Sequence, residues 1–446
     1  MAIIGLSFGL RFWQLTRFSD LVFDEVYFVK FAQAYLAGTP QFDAHPPLGK
    51  YLIAIGIWLS AHVPFISWPF ATVVNPDTGL SPFSYRWMNA LIGSCIPALV
   101  MAIARTLCRR QPAKRQIFVL LCGFFVAIDG LFVTESRYAL LNIYMVFFGL
   151  LGHWLWLQAA VLAAAGERAR GNAYRLLAGI ALGGAIAVKW NGLGYWLSLF
   201  LWDALRQRAW HKQGKALRHY LLEGLIYGGL VPALTYSLIW WPHLYLTGEG
   251  LAHVHTQLLS FHHQLAAVGH PACSKWYTWP LLIKPIAYWY ETAGTQAYTV
   301  NNLGNPALWW LSSAAIALLL IEQILTIATK LRSLASLRPT PLSADTVSSL
   351  NTYLLIGYIA NWLPWIVVGR CTFIYLYMPA AIFSFMWLAW LLSEWLQSNN
   401  GSPSRTIGIV MIGVIILAGA FWLPLSLGTP LSLESLQLRW WLRSWL

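Results

Sequence analysis

Two adjacent carboxylates stand in an apolar and aromatic stretch near the start of the chain. Asp24 and Glu25 occupy the run VFDEVYF, residues 22–28. Neighbouring residues do not share a face of a helix, so we expect one carboxylate to face a reacting group and the other to hold a partner. A carboxylate beside a hydroxyl can act as a general base. The alternative is a helix start, with Asp24 as N-cap and Glu25 in the first turn.

A second polar run, HPPLGK, covers residues 45–50 of the same predicted loop. Its prolines favour an extended approach followed by a helix start, and anions bind well at the N-terminal end of a helix. Lys50, one turn into that helix, would add a positive charge, and His45 is assigned to a loop that contacts the substrate. The alternative is a loop-to-helix junction in which Lys50 extends its ammonium group to the membrane surface.

Three further cations occupy predicted helix ends on the same side of the membrane. They are Arg137 in the run ESRY, at a short turn predicted between two apolar helices, Lys189 in KWNG and Arg370 in GRC. Each alone would serve as an interfacial anchor, but together with Lys50 they would surround an anionic lipid headgroup or a phosphate. Arginine can bind phosphate in a bidentate manner, so Arg137 and Arg370 rank above the lysines as phosphate ligands.

Histidines are concentrated in residues 253–270, where His262 and His263 are adjacent. Imidazole is a common metal ligand, but no carboxylate or cysteine cluster completes a coordination shell. We therefore predict no metal and no other cofactor, with a divalent metal kept as an alternative, and assign His262 and His263 to a loop that packs against the substrate.

The five cysteines are odd in number and scattered, which predicts neither a disulfide framework nor a zinc site. The sequence also contains no P-loop, no Gly-rich dinucleotide turn and no Gly-x-Ser-x-Gly elbow. ATP-driven transport and serine hydrolysis therefore have no support.

The elements that position these residues must cross a membrane. The chain of 446 residues is 58% hydrophobic and only 10% charged, whereas a soluble domain carries about 25% charged residues. This composition excludes a soluble enzyme, a disordered chain and a fibrous repeat, and it predicts an all-α polytopic membrane protein. Apolar runs that approach the length of a crossing helix lie at 87–104, 117–133, 143–165, 176–188, 193–205, 221–240, 308–329, 350–368, 373–395 and 407–427. Residues 1–15 would add an eleventh span, within which we expect the numbered chain to begin.

The distribution of positive charge predicts the orientation of these helices. Seventeen of the 29 Lys and Arg residues lie in five alternate connections, which the positive-inside rule places in the cytoplasm. The formal charge of +13 then reflects topology, and a nucleic-acid partner is not expected. Two long connections, 16–85 and 241–306, lie outside. The first contains amphipathic segments at 25–36 and 48–61, and residues 428–446 are expected to form an interfacial helical tail.

Together, an acidic pair and several cations beside a lipid-facing cavity suit the transfer of a group from a lipid-linked phosphate donor to an acceptor hydroxyl. Fixed positive charge would stabilise the leaving phosphate, and a carboxylate would take the proton of the acceptor hydroxyl. A nucleotide site is unnecessary because the donor arrives through the membrane.

These motifs resemble the protein O-mannosyltransferases, glycosyltransferase family 39. The resemblance rests on RFWQL (11–15), FDEVYF (23–28), HPPLGK (45–50), ESRY (135–138), VKW (188–190), the stretch from HP through SKW to WPLL (270–282), NLGNP (302–306) before WW (309–310), and RCTF (370–373). It extends over nearly the whole chain.

The resemblance implies a single GT-C membrane domain of about eleven helices and an inverting transfer of mannose from a polyprenyl-phosphate mannose to Ser or Thr of an exported protein. It implies that Asp24 is the base and that Glu25 arranges the acceptor or the base. Arg137 would bind the donor phosphate, with Lys189 and Arg370 as further phosphate ligands.

The family also implies a location and partners. The site would lie on the extracytoplasmic face of the bacterial cytoplasmic membrane, in contact with the lipid donor, a protein acceptor and membrane lipids, with a dimer as an option. Eukaryotic members carry a soluble MIR domain in the second long loop. Here that loop leaves no room for it, as in the bacterial form of the family. Leu376-Tyr377 stands where many eukaryotic members have a His-Tyr pair, so no histidine role transfers there.

Two other functions remain open at this point. The same chemistry could act on a lipid, glycan or lipopolysaccharide acceptor, as in the aminoarabinose transferases. A transporter would show internal symmetry and broken helices near the middle of the membrane, which the sequence does not show.

Overall fold

The computed structural model describes residues 1–63, 73–109, 112–208, 221–264, 269–335 and 350–445, and helices dominate it. We number the α-helices α1 (Ala2–Phe12), α2 (Glu25–Leu36), α3 (Leu48–His62), α4 (Pro82–Leu107), α5 (Pro112–Ile128), α6 (Gly130–Arg137), α7 (Asn142–Ala164), α8 (Arg168–Val188), α9 (Leu193–Arg208), α10 (Val231–Thr247), α11 (Leu251–Gln264), α12 (Pro306–Ala335), α13 (Leu350–Trp362), α14 (Met378–Leu396), α15 (Pro403–Leu427) and α16 (Leu433–Gln437). A π-helical stretch leads into α10 at Gly224–Leu230, and short 3-10 helices lie at Trp190–Gly192, Trp276–Leu281, Leu363–Val367, Ile374–Tyr377 and Arg443–Trp445.

Within the described residues, seven helical stretches are long and apolar enough to cross a membrane, or up to eight if α5 and α6 form one bent span. The seven are Pro82–Leu107, Asn142–Ala164, Arg168–Val188, Leu221–Thr247, Pro306–Leu325, Ile374–Leu396 and Pro403–Leu427. Each coincides with a predicted span. The predicted spans 193–205 and 350–368 overlap α9 and α13, which have 16 and 13 residues. The polytopic helical fold is confirmed, and the number eleven stays a prediction.

Helices α5 and α6 are bent by 56° with respect to each other. The carboxylate of Asp129 accepts hydrogen bonds from the backbone N–H groups of Leu131 and Phe132, so it caps a new helix at this point. Gly130 permits the close approach that follows, because a Cβ there would lie 2.3 Å from the carbonyl oxygen of Leu303. The run ESRY, predicted as a turn, instead ends α6.

Helix α14 is the centre of the bundle. Most of its residues are buried, and it packs against α5, α12, α13 and α15. A helix that is hydrophobic all round has to be surrounded by other helices. Its first turn follows directly on residues 370–377, so the bundle core holds this outer segment in place.

Both long connections contain ordered elements. Helices α2 and α3 match the predicted amphipathic segments 25–36 and 48–61 closely. The second connection contains α11 and an antiparallel hairpin of β1 (Ala287–Ala293) and β2 (Gln296–Asn301), which β3 (Leu431–Ser432) extends in the order β1-β2-β3. The all-α prediction overlooked this small sheet. Its signals were an aromatic run in β1 and a turn at Gly294, which has φ of +61°.

The C-terminal tail differs from the predicted interfacial helix. It consists of β3, the short helix α16 and a 3-10 turn. Trp445 is buried and donates its indole N–H to the carbonyl oxygen of Leu282 over 2.8 Å. A buried indole N–H needs a hydrogen-bond acceptor. This bond from Trp445 therefore holds the tail against the second connection.

The prediction that no disulfide forms was wrong. Cys273 and Cys371 are joined by a disulfide, with Cα atoms 5.3 Å apart and a sequence separation of 98 residues. Cys95, Cys108 and Cys122 are free. An odd number of scattered cysteines does not reveal which two lie close together, since that proximity depends on how the two outer segments pack.

Candidate active site

The two acidic residues have different surroundings, as predicted. Glu25 is fully buried, and its carboxylate accepts hydrogen bonds from the guanidinium of Arg86 at 2.9 and 2.7 Å. It also accepts from the backbone N–H groups of Val22 and Ala139, each at 2.8 Å. Asp24 occupies the N-cap position of α2 but makes no capping hydrogen bond with its side chain. Glu25 is therefore the anchor, and Asp24 is the carboxylate left to face a ligand.

Arg86 is a site residue that the sequence analysis missed. It lies fully buried in α4 and also donates hydrogen bonds to the carbonyl oxygens of Leu15, Phe18 and Asp20. One guanidinium therefore fastens the start of the first outer segment together with Glu25. Its position at the edge of a predicted span was the signal, because a charged residue at membrane depth needs a partner.

Phe23 also helps to place Asp24. Its backbone has φ of +54°, a conformation that is strained for an aromatic residue and that clusters at functional sites. The Phe23 ring stacks on the Tyr288 ring, with centroids 4.0 Å apart and planes at 6°. The hairpin of the second outer segment thus holds the backbone directly before Asp24.

The Asp24 carboxylate faces a buried cation. Its pKa is raised to about 6 because it is largely removed from water, and the positive charge of Lys189 opposes this rise. Burial lowers the pKa of Lys189, against the charges of Asp24 and Glu135. The Lys189 Nζ atom donates to Asn142 Oδ1 over 3.0 Å and lies 5.0 Å from the centroid of the Tyr375 ring.

A buried chain of hydrogen bonds supports this cation from behind. Asn142 donates its amide N–H to Glu135 over 3.1 Å, and the Tyr288 hydroxyl donates to the same carboxylate. Asn302 in turn donates to the Tyr288 oxygen over 3.2 Å. Lys189 is thereby held at the end of a network that joins the membrane helices to the hairpin.

A cavity of about 500 Å³ opens beside Lys189. Its polar side is lined by Lys189, Arg370, His45 and His262, and the larger remainder is mostly apolar and aromatic. The apolar lining consists mainly of Leu193, Trp196, Leu197, Pro364, Trp365, Val368 and Leu376. The cavity therefore combines a cationic end with an apolar groove between α9 and the residues that follow α13.

Arg370, His45 and His262 lie together at the polar end of the cavity. Arg370 is half-buried, and within the described residues its guanidinium has no acidic partner; it donates to the carbonyl oxygen of Cys371 over 3.2 Å. The imidazole rings of His45 and His262 lie 6.1 Å apart. The pKa of His45 is held well below its usual value by burial and then by the charge of Lys189, so His45 is neutral at neutral pH.

Lys50 and His263 are not part of the cavity lining. Lys50 is buried and forms an ion pair with Asp43 at 2.5 Å, and it also donates to the carbonyl oxygen of His45 over 2.7 Å. Its charge is therefore neutralised, and it holds the loop that carries His45 rather than contacting a phosphate. His263 is exposed on α11 and does not line the cavity.

The structure places Arg137 away from the cavity. Its guanidinium donates to the carbonyl oxygens of Leu10, Arg11 and Trp13 at 2.9, 3.3 and 2.7 Å. The last carbonyl groups of a helix lack partners within the helix, and Arg137 satisfies those at the end of α1. The expectation that Arg137 binds the donor phosphate is therefore not supported, and Arg370 and Lys189 carry that expectation alone.

The described residues contain no group of three or more His, Cys, Asp or Glu side chains that could hold a metal ion. Lys189 and Arg370 line the cavity together with its apolar groove, whereas Asp24 is not among the lining residues and lies within reach of the charge of Lys189. A carboxylate with raised pKa can accept a proton, fixed cations can stabilise a leaving phosphate, and the groove can hold an apolar chain.

Comparison with known proteins agrees with this chemistry. Residues 1–247 match the family described as dolichyl-phosphate-mannose-protein mannosyltransferase, and residues 247–445 match the C-terminal four TMM region of protein-O-mannosyltransferase. The chain is 24% identical to the polyprenol-phosphate-mannose–protein mannosyltransferase of Mycobacterium tuberculosis, over 98% of this chain and 92% of the relative. It is also 24% identical to the protein of the same name from Mycolicibacterium smegmatis, over 90% and 81%.

Solved structures show the same fold. The structure of the S. cerevisiae protein O-mannosyltransferase Pmt1-Pmt2 complex bound to the sugar donor matches with a TM-score of 0.79 at 16% identity, over 100% of this chain and 92% of that chain. The Archaeoglobus fulgidus oligosaccharyltransferase matches with a TM-score of 0.54 at 15% identity, over 96% and 52%. The GT-C fold predicted from the motifs is thus confirmed. The chain belongs to the dolichyl-phosphate-mannose-protein mannosyltransferase family and is a membrane glycosyltransferase.

Proposed function

We propose that this protein transfers mannose from a polyprenyl-phosphate mannose to Ser or Thr hydroxyls of exported proteins. The observation that carries the proposal is the position of Lys189 and Arg370 at the polar end of a cavity whose other walls are apolar. The apolar groove suits an isoprenoid chain, and the two cations suit the single phosphate that joins this chain to the sugar.

The reaction follows from the charges around the cavity. The acceptor oxygen forms a bond to the anomeric carbon while the bond from that carbon to the phosphate oxygen breaks. The hydroxyl proton passes to the Asp24 carboxylate, and the electron pair of the broken bond stays on the phosphate, facing Lys189 and Arg370. A single displacement inverts the anomeric carbon.

Glu25 and Arg86 position the base and do not contact the reacting atoms in this scheme. His45 and His262 lie at the polar end of the cavity as neutral donors or acceptors for the sugar or the phosphate. The scheme uses no metal ion, so we expect transfer to be insensitive to a chelator of divalent cations.

We further propose that the site faces the extracytoplasmic side of the bacterial cytoplasmic membrane. The Cys273–Cys371 disulfide supports this placement, because disulfides persist in oxidising compartments and are rare in the cytosol. Labelling of a cysteine introduced into the first or second outer segment of intact cells, with a membrane-impermeant reagent, tests the side. Whether two copies associate in the membrane is tested by the mass of the purified protein in detergent.

The deciding experiment incubates the purified protein with polyprenyl-phosphate mannose and a peptide rich in Ser and Thr. We expect a hexose on a Ser or Thr, found by mass spectrometry, and an anomeric linkage opposite to that of the donor. Hexose transferred to a lipid or glycan acceptor but never to the peptide would replace the proposed acceptor and keep the donor chemistry. No consumption of the lipid donor in any mixture would refute the proposal.

A further inference from the structure

The disulfide between Cys273 and Cys371 lies beside the cavity. Cys371 directly follows Arg370, whose side chain lines the polar end of the cavity. We infer that this disulfide positions Arg370 for the phosphate of the lipid donor, so that donor affinity depends on the oxidised cysteine pair. The inference rests on the proposed function, since it assigns a positioning role in the same reaction.

The backbone before Arg370 is only loosely held. Val367 is 83% exposed, and a Cβ added to Gly369 would meet nothing within 4 Å. Within the described residues Arg370 has no acidic partner, and its side chain donates one hydrogen bond, to the carbonyl oxygen of the adjacent Cys371. Packing on this side therefore does not fix where the guanidinium lies.

The backbone after Arg370 is fastened to the second outer segment. Besides the disulfide, the Ser274 backbone N–H donates to the Thr372 carbonyl oxygen over 2.8 Å. The Thr372 hydroxyl donates to the Ser274 carbonyl oxygen over 2.7 Å. Both residues are buried. Arg370 thus stands one residue from a covalent and hydrogen-bonded junction.

The other half of this junction is rigidly packed. Trp279 is fully buried and donates its indole N–H to the Ser274 hydroxyl over 2.8 Å. The Trp276 carbonyl oxygen accepts from the indole of Trp362 over 3.0 Å, and the two indole rings lie 5.0 Å apart. The disulfide therefore ties a loosely held cation to a segment anchored by the buried Trp279 and the half-buried Trp276 and Trp362.

Both cysteines are half-buried, so a small reductant can reach the pair. A phosphine supplies two electrons that break the sulfur–sulfur bond, the two thiols take their protons from water, and the phosphine leaves as its oxide. This reaction opens the junction in the folded protein without a change of sequence.

The test is a double-mutant cycle on the full-length protein in detergent or nanodiscs, with polyprenyl monophosphate as the binding probe. We expect Arg370→Ala to weaken binding about tenfold, as for the loss of one charge-assisted contact. Removal of the disulfide by Cys273→Ser with Cys371→Ser should weaken binding by a similar factor. Combined with Arg370→Ala, it should add little, because coupled residues are not additive.

Lys189→Gln is the matched control. Lys189 lines the same cavity but comes from the end of α8. The factors by which Lys189→Gln and disulfide removal weaken binding of the probe should therefore multiply. In turnover, disulfide removal should raise KM for the donor and leave kcat and KM for the acceptor peptide close to those of the parent. A general loss of structure would instead lower kcat for all substrates.

Two further measurements keep the inference testable if the cysteine variants do not fold. Phosphine treatment of the folded parent should weaken binding, and the same treatment of Arg370→Ala should change it little. Thr372→Val, which removes one hydrogen bond of the junction, should shift binding in the same direction by a smaller factor.

The inference is overturned if the reduced parent binds the probe as tightly as the oxidised parent, or if disulfide removal and Arg370→Ala multiply. These outcomes are separate from the fate of the proposed function. A protein that binds the probe in a disulfide-dependent way but transfers no mannose would refute only the function. Mannose transfer with unchanged donor affinity after reduction would refute only this inference.

Discussion

Glu25 and Arg86 form an ion pair that is withdrawn from solvent, with 2.9 Å between Nε and Oε1 and 2.7 Å between Nη2 and Oε2. The pair joins the start of α2 to α4. Because it uses both oxygens of Glu25, the neighbouring Asp24 is the acid of the two that remains available to a ligand. Two adjacent carboxylates are thus divided into an anchor and a candidate base by one guanidinium.

Asp24→Asn should leave the protein folded and lower kcat by about 10²–10⁴-fold, the usual contribution of a general base. The amide has nearly the same shape but cannot take the acceptor proton. Turnover of polyprenyl-phosphate mannose by purified variants measures the effect. Asp77→Asn, at an exposed acid of the same outer segment, serves as the control and should retain parental turnover. Near-parental kcat in Asp24→Asn would remove Asp24 from the base role.

Transfer should depend on the ionisation of Asp24. Burial of the Asp24 carboxyl raises its pKa to about 6, and a general base works only in its deprotonated form. We therefore expect kcat to fall as the pH drops through about 6, in proportion to the ionised fraction. The profile of kcat between pH 4.5 and 8 at saturating donor measures this. An acid limb centred near pH 4, the ordinary range of Asp, would contradict the burial of the group.

The raised pKa of Asp24 also affects the stability of the fold. Its contribution to stability changes with pH in the direction opposite to that of activity. Between the unfolded pKa near 4 and the folded value of about 6, the folded protein binds more protons at Asp24 than the unfolded chain does. The contribution of Asp24 to stability therefore falls as the pH rises through this window. Thermal unfolding should therefore show the Tm of Asp24→Asn rising relative to the Tm of the parent between pH 4 and pH 6.

Loss of one partner of the buried ion pair should be costly. Arg86→Leu leaves the Glu25 carboxylate buried without its cation, and we expect a loss of about 3–5 kcal/mol in the free energy of unfolding. Glu167→Gln removes an acid from an exposed pair with Arg170 and should cost less than about 1 kcal/mol. Unfolding in detergent, followed by tryptophan fluorescence, compares the two. Equal effects would mean that burial of the pair contributes little.

Substitution of Arg370 should weaken donor binding, whereas substitution of Arg137 should lower stability. Arg370→Ala removes a cation from the cavity, so KM for the lipid donor should rise about tenfold with little change in stability. Arg137→Ala removes the hydrogen bonds at the end of α1, so stability should fall by about 2 kcal/mol or more while KM for the donor stays near the parental value. A raised donor KM in a fully folded Arg137→Ala protein would restore Arg137 to the phosphate site.

Local sequence pattern was sufficient for the elements and for the identity of the acidic pair. The predicted segment 25–36 matches α2 residue for residue, because its amphipathic period and its flanking residues are properties of a short stretch of chain. The protein family could also be inferred from motifs that are read directly from the linear sequence. The separate surroundings of Asp24 and Glu25 followed from geometry that any helix imposes.

The partners of the outer cations could not be predicted in this way. Arg137, Lys50, Lys189 and Arg370 all occupy predicted outer positions, yet Lys50 is neutralised by Asp43 and Arg137 is taken up by the carbonyl groups of α1. A sequence indicates on which side of the membrane a charge lies, but not which acceptor lies within 3 Å of it.

The sequence by itself determined a polytopic helical membrane fold, an acidic pair with separate surroundings and a surplus of positive charge, because composition and short-range periodicity act locally along the chain. Only the tertiary structure decided that Lys189 and Arg370 share a cavity and that Cys273 meets Cys371 across 98 residues. Such contacts join segments far apart in the sequence, and they form only where the packing of the whole bundle brings those segments together.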